Sequence, residues 1–268
     1  MENISDLLIC PVTRQKIILD YANEKAIVEG TDIVYPIKNG IIDFLPGVGD
    51  GISAFYDDMA PKYDEYMLSA NLLWKLTNLF TWGFYNDWKY AQKVLAYVPD
   101  DFDGVLLDVP VGTGVLTLEK HKRLNRAQII AIDYSPGMLA QAKRRYDEHG
   151  MKNVTLIRAD AAHLPIENNV VDLCLSMNGF HIFPEKQRAY DEIVRVLKGE
   201  GALAICFYVK GKRRLTDFLI QHVLEGKGSF SAPYYSESEV MLLFGKHMHI
   251  QSRGHLGSIL YFSGAKLS

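Results

Sequence analysis

The stretch Val105-Leu-Leu-Asp108-Val-Pro110-Val-Gly112-Thr-Gly114 decides the fold. An apolar run ends in a carboxylate, and two glycines follow before a helix-like segment begins. Glycine tolerates positive φ and has no Cβ, so a turn built on Gly112 and Gly114 lets the backbone approach a ligand closely. The stretch therefore predicts a strand, a ligand-binding turn and a helix, in that order.

A second apolar run, Ile129-Ile-Ala-Ile132, ends in Asp133. Carboxylates at this place in nucleotide-binding α/β folds accept hydrogen bonds from ribose hydroxyls, so the ligand should carry a nucleoside. The spacing from Gly114 to Asp133 fits a dinucleotide fingerprint, but Thr117 replaces its third glycine. Asp108 would repel a pyrophosphate and suits a cationic ligand such as S-adenosylmethionine, which disfavours a nicotinamide oxidoreductase.

These residues make the chain resemble the class I S-adenosylmethionine-dependent methyltransferases. Asp108, Gly112 and Gly114 match the family's acidic residue and glycines, while Pro110 stands where the first glycine usually lies. Three later landmarks follow in order: the ribose-binding turn Asp133-Tyr-Ser-Pro-Gly-Met138, the adenine loop Ala159-Asp-Ala-Ala-His-Leu-Pro165, and the fourth strand over 170–176.

The resemblance implies S-adenosylmethionine as the cofactor and assigns residues to it. The glycine turn admits the methionyl chain beside Asp108, the ribose lies on Asp133, and an aromatic segment over 55–64 folds across the sulfonium. The implied cofactor-binding residues are Asp108, Pro110, Gly112, Gly114, Asp133, Tyr134, Met138, Asp160, Ala161, Asn178, Tyr56 and Tyr63.

Asn178 and His181 follow the fourth strand and are the candidate catalytic residues. Methyl transfer needs the acceptor held about 3–3.5 Å from the methyl carbon and in line, so position matters more than acid–base power. His181 is the candidate general base for a hydroxyl or amine acceptor. Two alternatives stay open, in which His181 shapes the pocket or hydrogen-bonds the loop backbone.

Alternating strands and helices predict an α/β fold with a parallel sheet. By resemblance it is Rossmann-like, with seven mostly parallel strands, helices on both faces and a terminal antiparallel hairpin. A small β-rich N-terminal domain over 1–50 precedes the methyltransferase domain over 51–268. The larger domain divides into a helical lid (52–98, with Leu72, Leu76 and Leu79 in helical spacing), a cofactor-binding core (99–209), a polar irregular insertion (210–235) and a terminal helix and hairpin (236–268).

The N-terminal segment resembles the small zinc-ribbon-like domains related to methyltransferase activator proteins. The places of the four zinc ligands hold Cys10, Thr13, Val28 and Thr31. One cysteine cannot hold zinc, so no metal is expected and apolar packing must hold this segment together.

Charge and hydropathy exclude other classes of partner. With 29 basic and 32 acidic residues the net charge is −3, which gives no global attraction to nucleic acid or anionic lipid. The N-terminus lacks a signal-peptide pattern, and polar residues interrupt the apolar stretch over 68–84. The sequence predicts a cytoplasmic protein without a membrane span, in which three scattered cysteines are reduced core residues.

The leading interpretation is a methyltransferase acting on a small-molecule acceptor. An RNA methyltransferase is the first alternative, although the zinc ligands are missing and Ser176-Met-Asn-Gly-Phe180 lacks the Asn-Pro-Pro-aromatic form. The basic cluster Lys210-Gly-Lys-Arg-Arg214 leaves an anionic acceptor open. The second alternative is a catalytically inactive cofactor-binding or activator protein.

Overall fold

The computed structural model describes residues 3–47, 54–68, 79, 82–83, 88–227 and 229–268. Its strands are β1 Ile17–Asp20, β2 Lys25–Val28, β3 Val34–Lys38, β4 Ile41–Asp43, β5 Val105–Asp108, β6 Gln128–Asp133, β7 Val154–Arg158, β8 Val171–Met177, β9 Leu197–Tyr208, β10 Met248–Leu256 and β11 Ile259–Lys266. Its α-helices are α1 Ile4–Leu7, α2 Ala54–Leu68, α3 Trp88–Leu95, α4 Leu118–Arg123, α5 Pro136–Glu148, α6 Lys186–Val196, α7 Arg214–Leu219 and α8 Glu237–Phe244.

A parallel sheet with the order β7-β6-β5-β8-β9 forms the middle of the fold, and β11 and β10 continue it in antiparallel pairing. Every residue of β5 and β6 is buried. Strands covered on both faces read as continuous apolar runs, which is why the sequence predicts them well. The predicted Rossmann-like sheet with its terminal hairpin is confirmed.

The N-terminal strands extend this sheet at one edge. β1 to β4 form an antiparallel meander, and β4 pairs in parallel with β7, so that the described residues form one sheet of eleven strands. Leu8, Val28 and Ile42 are buried in the same hydrophobic cluster as Ile130 and Ile157. The N-terminal segment therefore shares its core with the rest of the fold, and the domain boundary near residue 50 stays a prediction.

Cys10 is buried in that shared core rather than in a metal site. Its Sγ accepts a hydrogen bond from the Thr13 N–H at 3.4 Å and lies 3.5 Å from the Tyr35 hydroxyl. Within the described residues, no group of three or more His, Cys, Asp or Glu side chains is placed to hold a metal ion. The resemblance to zinc-ribbon-like domains stays a prediction.

The structure agrees with the sequence-based prediction for one segment between the strands and differs from it for another. Helices α2 and α3 lie in the predicted helical stretch over 52–98, whereas Leu72 and Leu76 lie outside the described residues. The prediction of an irregular stretch over 210–235 is wrong in part, because α7 forms there and helical turns continue it to Lys227. No glycine or proline interrupts the chain between Arg213 and Gly226, so this helix has nothing to break it. Across the described ranges, no helix has both the length and the apolar character needed to cross a bilayer.

Candidate functional site

The glycine turn after β5 opens onto a cavity at the carboxyl ends of the parallel strands. Gly112 has a φ of 58°, and a Cβ added there would meet no atom within 4 Å. A Cβ on Gly114 would come within 2.9 Å of the Tyr146 hydroxyl. Pro110 packs against Gly179, where any Cβ would overlap the proline ring. Gly112 therefore faces open space, whereas a side chain at Gly114 would overlap Tyr146.

Asp133 lies beside that turn, on the wall of the cavity. Its Oδ2 accepts a hydrogen bond from the Gly112 N–H at 2.8 Å, and its Oδ1 accepts one from the Ser135 N–H at 2.9 Å. Burial raises the pKa of Asp133 to about 6, although the hydrogen bonds from the backbone lower it. The negative charge on Asp57 adds to the increase. A carboxylate has about four acceptor positions, so Asp133 keeps acceptor capacity for a ligand beside its backbone partners.

Asp108 ends β5 but does not line the cavity. Its carboxyl group is fully buried beneath the turn, and the Nε2 of His121 lies 3.5 Å from its Oδ2. Burial raises the pKa of Asp108 well above its usual range and lowers the pKa of His121 to about 3. The structure therefore separates Asp108 from the other predicted cofactor residues, and its role toward the methionyl ammonium stays a prediction.

Two aspartates that the sequence did not single out hold helix α2 beside the cavity through hydrogen bonds and an ion pair. The Oδ1 of Asp57 accepts hydrogen bonds from the Ser135 hydroxyl at 2.5 Å and from the Gly137 N–H at 2.8 Å, where α5 begins. Two helical turns later, Asp64 accepts a hydrogen bond from the Thr113 hydroxyl at 2.6 Å and pairs with Arg145. The i, i+7 spacing of the two aspartates places them on one helix face and was the signal available in the sequence.

Tyr56 and Tyr63 of α2 both line the cavity. The Tyr56 hydroxyl donates a hydrogen bond to the Ser229 carbonyl at 3.2 Å, which joins α2 to the segment after α7. Burial raises the pKa of Tyr56 well above its usual range, so the phenol remains neutral. Both rings are thus placed where they can face a ligand.

The predicted adenine-binding residues lie together on another part of the wall. Tyr134 follows β6, Met138 is buried in the first turn of α5, and Asp160 and Ala161 follow β7. The Oδ1 of Asp160 accepts a hydrogen bond from the Ala162 N–H at 2.9 Å and caps a short 3-10 helix. Its Oδ2 lies 3.6 Å from the Nδ1 of His163 and is the oxygen left to accept from a ligand.

Asn178 and His181 follow β8 and line the cavity near aromatic side chains. Asn178 has a φ of 56° and donates a hydrogen bond from Nδ2 to the Tyr90 hydroxyl at 2.6 Å. The His181 ring stacks on Phe230 with centroids 4.6 Å apart, and its Nδ1 lies 3.3 Å from the Tyr208 N–H. Because an N–H can only donate, Nδ1 accepts and the ring proton is on Nε2. Burial, aided by the charge on Lys186, lowers the pKa of His181 to about 3.

The cavity has a volume of about 370 Å³ and joins these groups in one space. Its wall near His181 is mostly aromatic and aliphatic and includes Trp82, Tyr90, Ile182, Phe183, Phe230 and Ile259. Among the described residues of the lining, Asp133 and Asp160 are the carboxylates, and no lysine or arginine is present. The cavity therefore suits a ligand that carries hydroxyl donors or a cation and that binds beside an apolar molecule. The described part of its lining offers no side-chain cation for a phosphate.

Comparison with known proteins finds methyltransferases similar to part of this chain. Residues 106–201 match the family described as a methyltransferase domain. The demethylmenaquinone methyltransferase of Lactiplantibacillus plantarum is 29% identical over 157 residues, covering 58% of this chain and 61% of that protein. The one from Thermobifida fusca is 31% identical over 156 residues and is covered to 60% of its length. The chain thus covers less than two thirds of these relatives.

A longer match is to the ubiquinone/menaquinone biosynthesis C-methyltransferase of Campylobacter jejuni, 27% identical over 207 residues, covering 71% of this chain and 79% of that protein. Among solved structures, a SAM dependent methyltransferase from Aquifex aeolicus superposes with a TM-score of 0.56 at 21% identity, covering 79% of this chain and 98% of the other. A chain from the complex between the Haloferax volcanii Trm112 methyltransferase activator and a methyltransferase reaches 0.63 at 17% identity, covering 81% and 98%. At these identities the structural matches establish the fold alone.

Proposed function

We propose that this chain, whose residues 106–201 match a methyltransferase domain, transfers a methyl group from S-adenosylmethionine to a small-molecule acceptor. S-adenosylmethionine supplies an electrophilic methyl group on a sulfonium. One observation carries the proposal: a single cavity connects the glycine turn and Asp133 with a wall of aromatic side chains. A donor and an apolar acceptor held there would be in contact and shielded from water, which is the main requirement of methyl transfer.

The residues at the glycine turn fit this cofactor. The open space over Gly112 suits the methionyl chain, and the remaining acceptor capacity of the Asp133 carboxylate suits the ribose hydroxyls. Tyr134 and Met138 line the same cavity, and in this proposal they pack against adenine. Tyr56 and Tyr63 offer ring faces to a sulfonium, an attraction of roughly 0.5–2 kcal/mol depending on desolvation.

The acceptor wall favours a planar, apolar ring that carries an oxygen. Aromatic side chains such as Trp82 and Phe230 suit the ring, and the Nε2–H of His181 suits the oxygen. The relatives named as demethylmenaquinone methyltransferases point to the same chemical class. As the finer part of the proposal we infer a quinol or a related hydroxyarene as the acceptor.

His181 acts in this proposal as a hydrogen-bond donor rather than as a general base. Its Nδ1 is used by the Tyr208 N–H, and the lowered pKa keeps the ring neutral near pH 7. A quinol that binds as its monoanion, its hydroxyl proton having passed to bulk water, would have its oxygen charge stabilised by the Nε2–H. A ring carbon would then form a bond to the methyl group as the bond between sulfur and methyl breaks and releases S-adenosylhomocysteine, and the proton on that ring carbon would be lost to water. The proposal thus replaces the general-base role that the sequence suggested for His181 with that of a hydrogen-bond donor.

Transfer of a labelled methyl group tests the proposal. A reduced demethylmenaquinone with a short side chain and bulk ribosomal RNA serve as parallel acceptors for S-adenosylmethionine labelled on the methyl group. We expect label in the quinol and none in the RNA. Label confined to RNA would establish the alternative, and cofactor binding without transfer to any quinol would point to an inactive binding protein.

The role of His181 is tested in the same assay by His181→Phe, which keeps a ring against Phe230 and removes the Nε2–H donor. Loss of a hydrogen bond to a charged oxygen costs about 1.5–3 kcal/mol, so kcat should fall by roughly 10- to 100-fold. The kcat of the wild-type chain should show no inflexion attributable to a histidine near pH 6.5. An inflexion that is present in the wild type and absent from the variant would restore the base assignment.

Ion pairs in the predicted basic cluster weigh against an RNA acceptor. Lys210 pairs with Glu239 at 3.2 Å, and Lys212 pairs with Glu237 at 2.5 Å, so α8 already neutralises both lysines. Phosphate binding would have to displace these carboxylates. The exclusion of nucleic acid partners and the cytoplasmic location stay predictions.

A further inference from the structure

The last N-terminal strand ends on the side of the sheet where the carboxyl ends of the parallel strands and the ligand-binding turns lie. Because β4 runs parallel to β7, its last residue, Asp43, lies at the carboxyl ends of the strands, directly opposite Arg158. Asp43 is 6% exposed and Arg158 is 8% exposed. Burying two charges is costly and stabilises a fold weakly, so a buried pair at this edge suggests a role beyond packing.

Arg158 connects β4 to the turn that follows Asp133. Its Nη1 lies 3.4 Å and 3.5 Å from the two Asp43 oxygens and donates a hydrogen bond to the Leu45 carbonyl at 3.1 Å. Its Nε donates a hydrogen bond to the Tyr134 carbonyl at 3.2 Å. The Leu45 N–H donates to the Oδ1 of Asp43 at 3.0 Å, so the carboxylate also shapes the end of β4. One guanidinium therefore fixes the ribose-binding turn to the N-terminal strands.

A second contact attaches the loop after Asp160 to the same N-terminal segment. The Nη2 of Arg14 donates to Glu192 Oε1 at 2.9 Å, and Glu192 Oε2 accepts a hydrogen bond from the Leu164 N–H at 2.9 Å. The Ile9 N–H donates to the Pro165 carbonyl at 3.2 Å. Both turns that would hold the nucleoside are thus backed by residues 3–47.

We propose that Asp43 and Arg158 are positioning residues for cofactor binding, an inference that rests on the proposed use of S-adenosylmethionine. Arg158 holds the Tyr134 carbonyl, which keeps the Asp133 carboxylate and the Tyr134 ring in the orientation that the nucleoside needs. Asp43 aims the guanidinium and anchors it to β4. Without the pair the turn samples more conformations, and cofactor affinity falls in proportion to the lost competent fraction.

This role predicts a specific kinetic pattern. The cofactor KM should rise, whereas kcat at saturating cofactor and the acceptor KM should change little, because the aromatic wall is not touched. A merely structural role would lower the melting temperature and reduce the active fraction without separating the two substrates. The split between the two KM values therefore distinguishes positioning from stability.

The experiment compares Asp43→Asn and Arg158→Lys with the matched control Asp20→Asn. Asp20 also lies in the N-terminal strands, but its carboxylate accepts hydrogen bonds from Asn23 in the turn between β1 and β2. Affinity for S-adenosylhomocysteine is measured by calorimetry, and both KM values are measured with the quinol acceptor. We expect Kd and the cofactor KM to rise about 5- to 50-fold in the two test variants and to stay within about twofold in the control.

Test variants that fold and keep the wild-type Kd would overturn the inference. So would variants in which kcat falls and the KM values for cofactor and acceptor change by similar factors. If a single variant fails to fold, Asp43→Leu combined with Arg158→Met removes both charges and leaves neither unpaired. The same rise in Kd is expected of that double variant, and an unchanged Kd there also overturns the inference. A wild-type chain that does not bind S-adenosylhomocysteine would instead refute the proposed function, and this inference with it.

Discussion

Replacing Asp133 by asparagine should weaken the binding of S-adenosylhomocysteine by roughly two orders of magnitude. The carboxylate accepts hydrogen bonds from the Gly112 and Ser135 N–H groups and keeps acceptor capacity for the ribose hydroxyls. A hydrogen bond to a charged group contributes about 1.5–3 kcal/mol. An amide has a single oxygen, which the backbone N–H groups already occupy. The variant therefore has no oxygen left for the ribose, and losing two hydrogen bonds at the lower of these values gives an expected loss of binding free energy of about 3 kcal/mol.

The same carboxyl group should make binding depend on pH. Its pKa is raised from the ordinary 3.8 to about 6. Ribose hydroxyls bind the ionised form, so below about pH 6 a proton must leave first and affinity should fall by about tenfold per pH unit. The stability contribution has its own sign: the folded chain binds this proton more tightly than the unfolded chain does. Asp133 therefore lowers the free energy of unfolding as the pH rises from about 4 to about 6.

Calorimetry between about pH 5 and about pH 8 measures the loss of affinity in Asp133→Asn and the pH dependence of binding in the wild-type chain. The control is Asp147→Asn, which changes an exposed aspartate on α5 that pairs with Lys143. A change of less than about threefold in Kd for Asp133→Asn near neutral pH would refute the ribose assignment. So would wild-type and variant pH profiles that run in parallel, because the variant has no carboxyl group to titrate at this position.

Two further substitutions test the surroundings of the site. Gly112→Ala and Gly150→Ala both place a Cβ in open space at a φ of 58° and 62°, so each should lose about 1–2 kcal/mol of stability. Only Gly112→Ala should raise the cofactor KM, and an equal rise in both variants would show that Gly112 does not face the ligand. Glu192→Ala removes the carboxylate that Arg14, Arg195 and the Leu164 N–H share, and urea unfolding should show a loss of about 3–5 kcal/mol. A loss below about 1 kcal/mol would mean that the surrounding groups find other partners.

Much of the fold could be predicted because each central strand has a local pattern in the sequence. β5 and β6 are buried on both faces and are continuous apolar runs, and their carboxyl ends place Gly112 and Asp133 side by side through topology alone. The attachment of β4 to β7 has no such signal, since β4 is three residues long and its partner lies more than a hundred positions away. Asp57 was also missed, because its acceptor role depends on Ser135 and Gly137, which reach it only after folding.

The chemistry of two predicted residues was harder to predict than their position. Asp108 and His181 occur where the sequence places them, but a side chain's protonation and direction depend on what it faces. His181 meets the Tyr208 N–H, 27 residues away along the chain, and this contact fixes which ring nitrogen carries the proton. Asp108 faces His121 beneath the turn instead of the cavity. A motif can therefore identify the residues at strand ends, whereas acid, base or donor roles follow from long-range contacts that the motif does not contain.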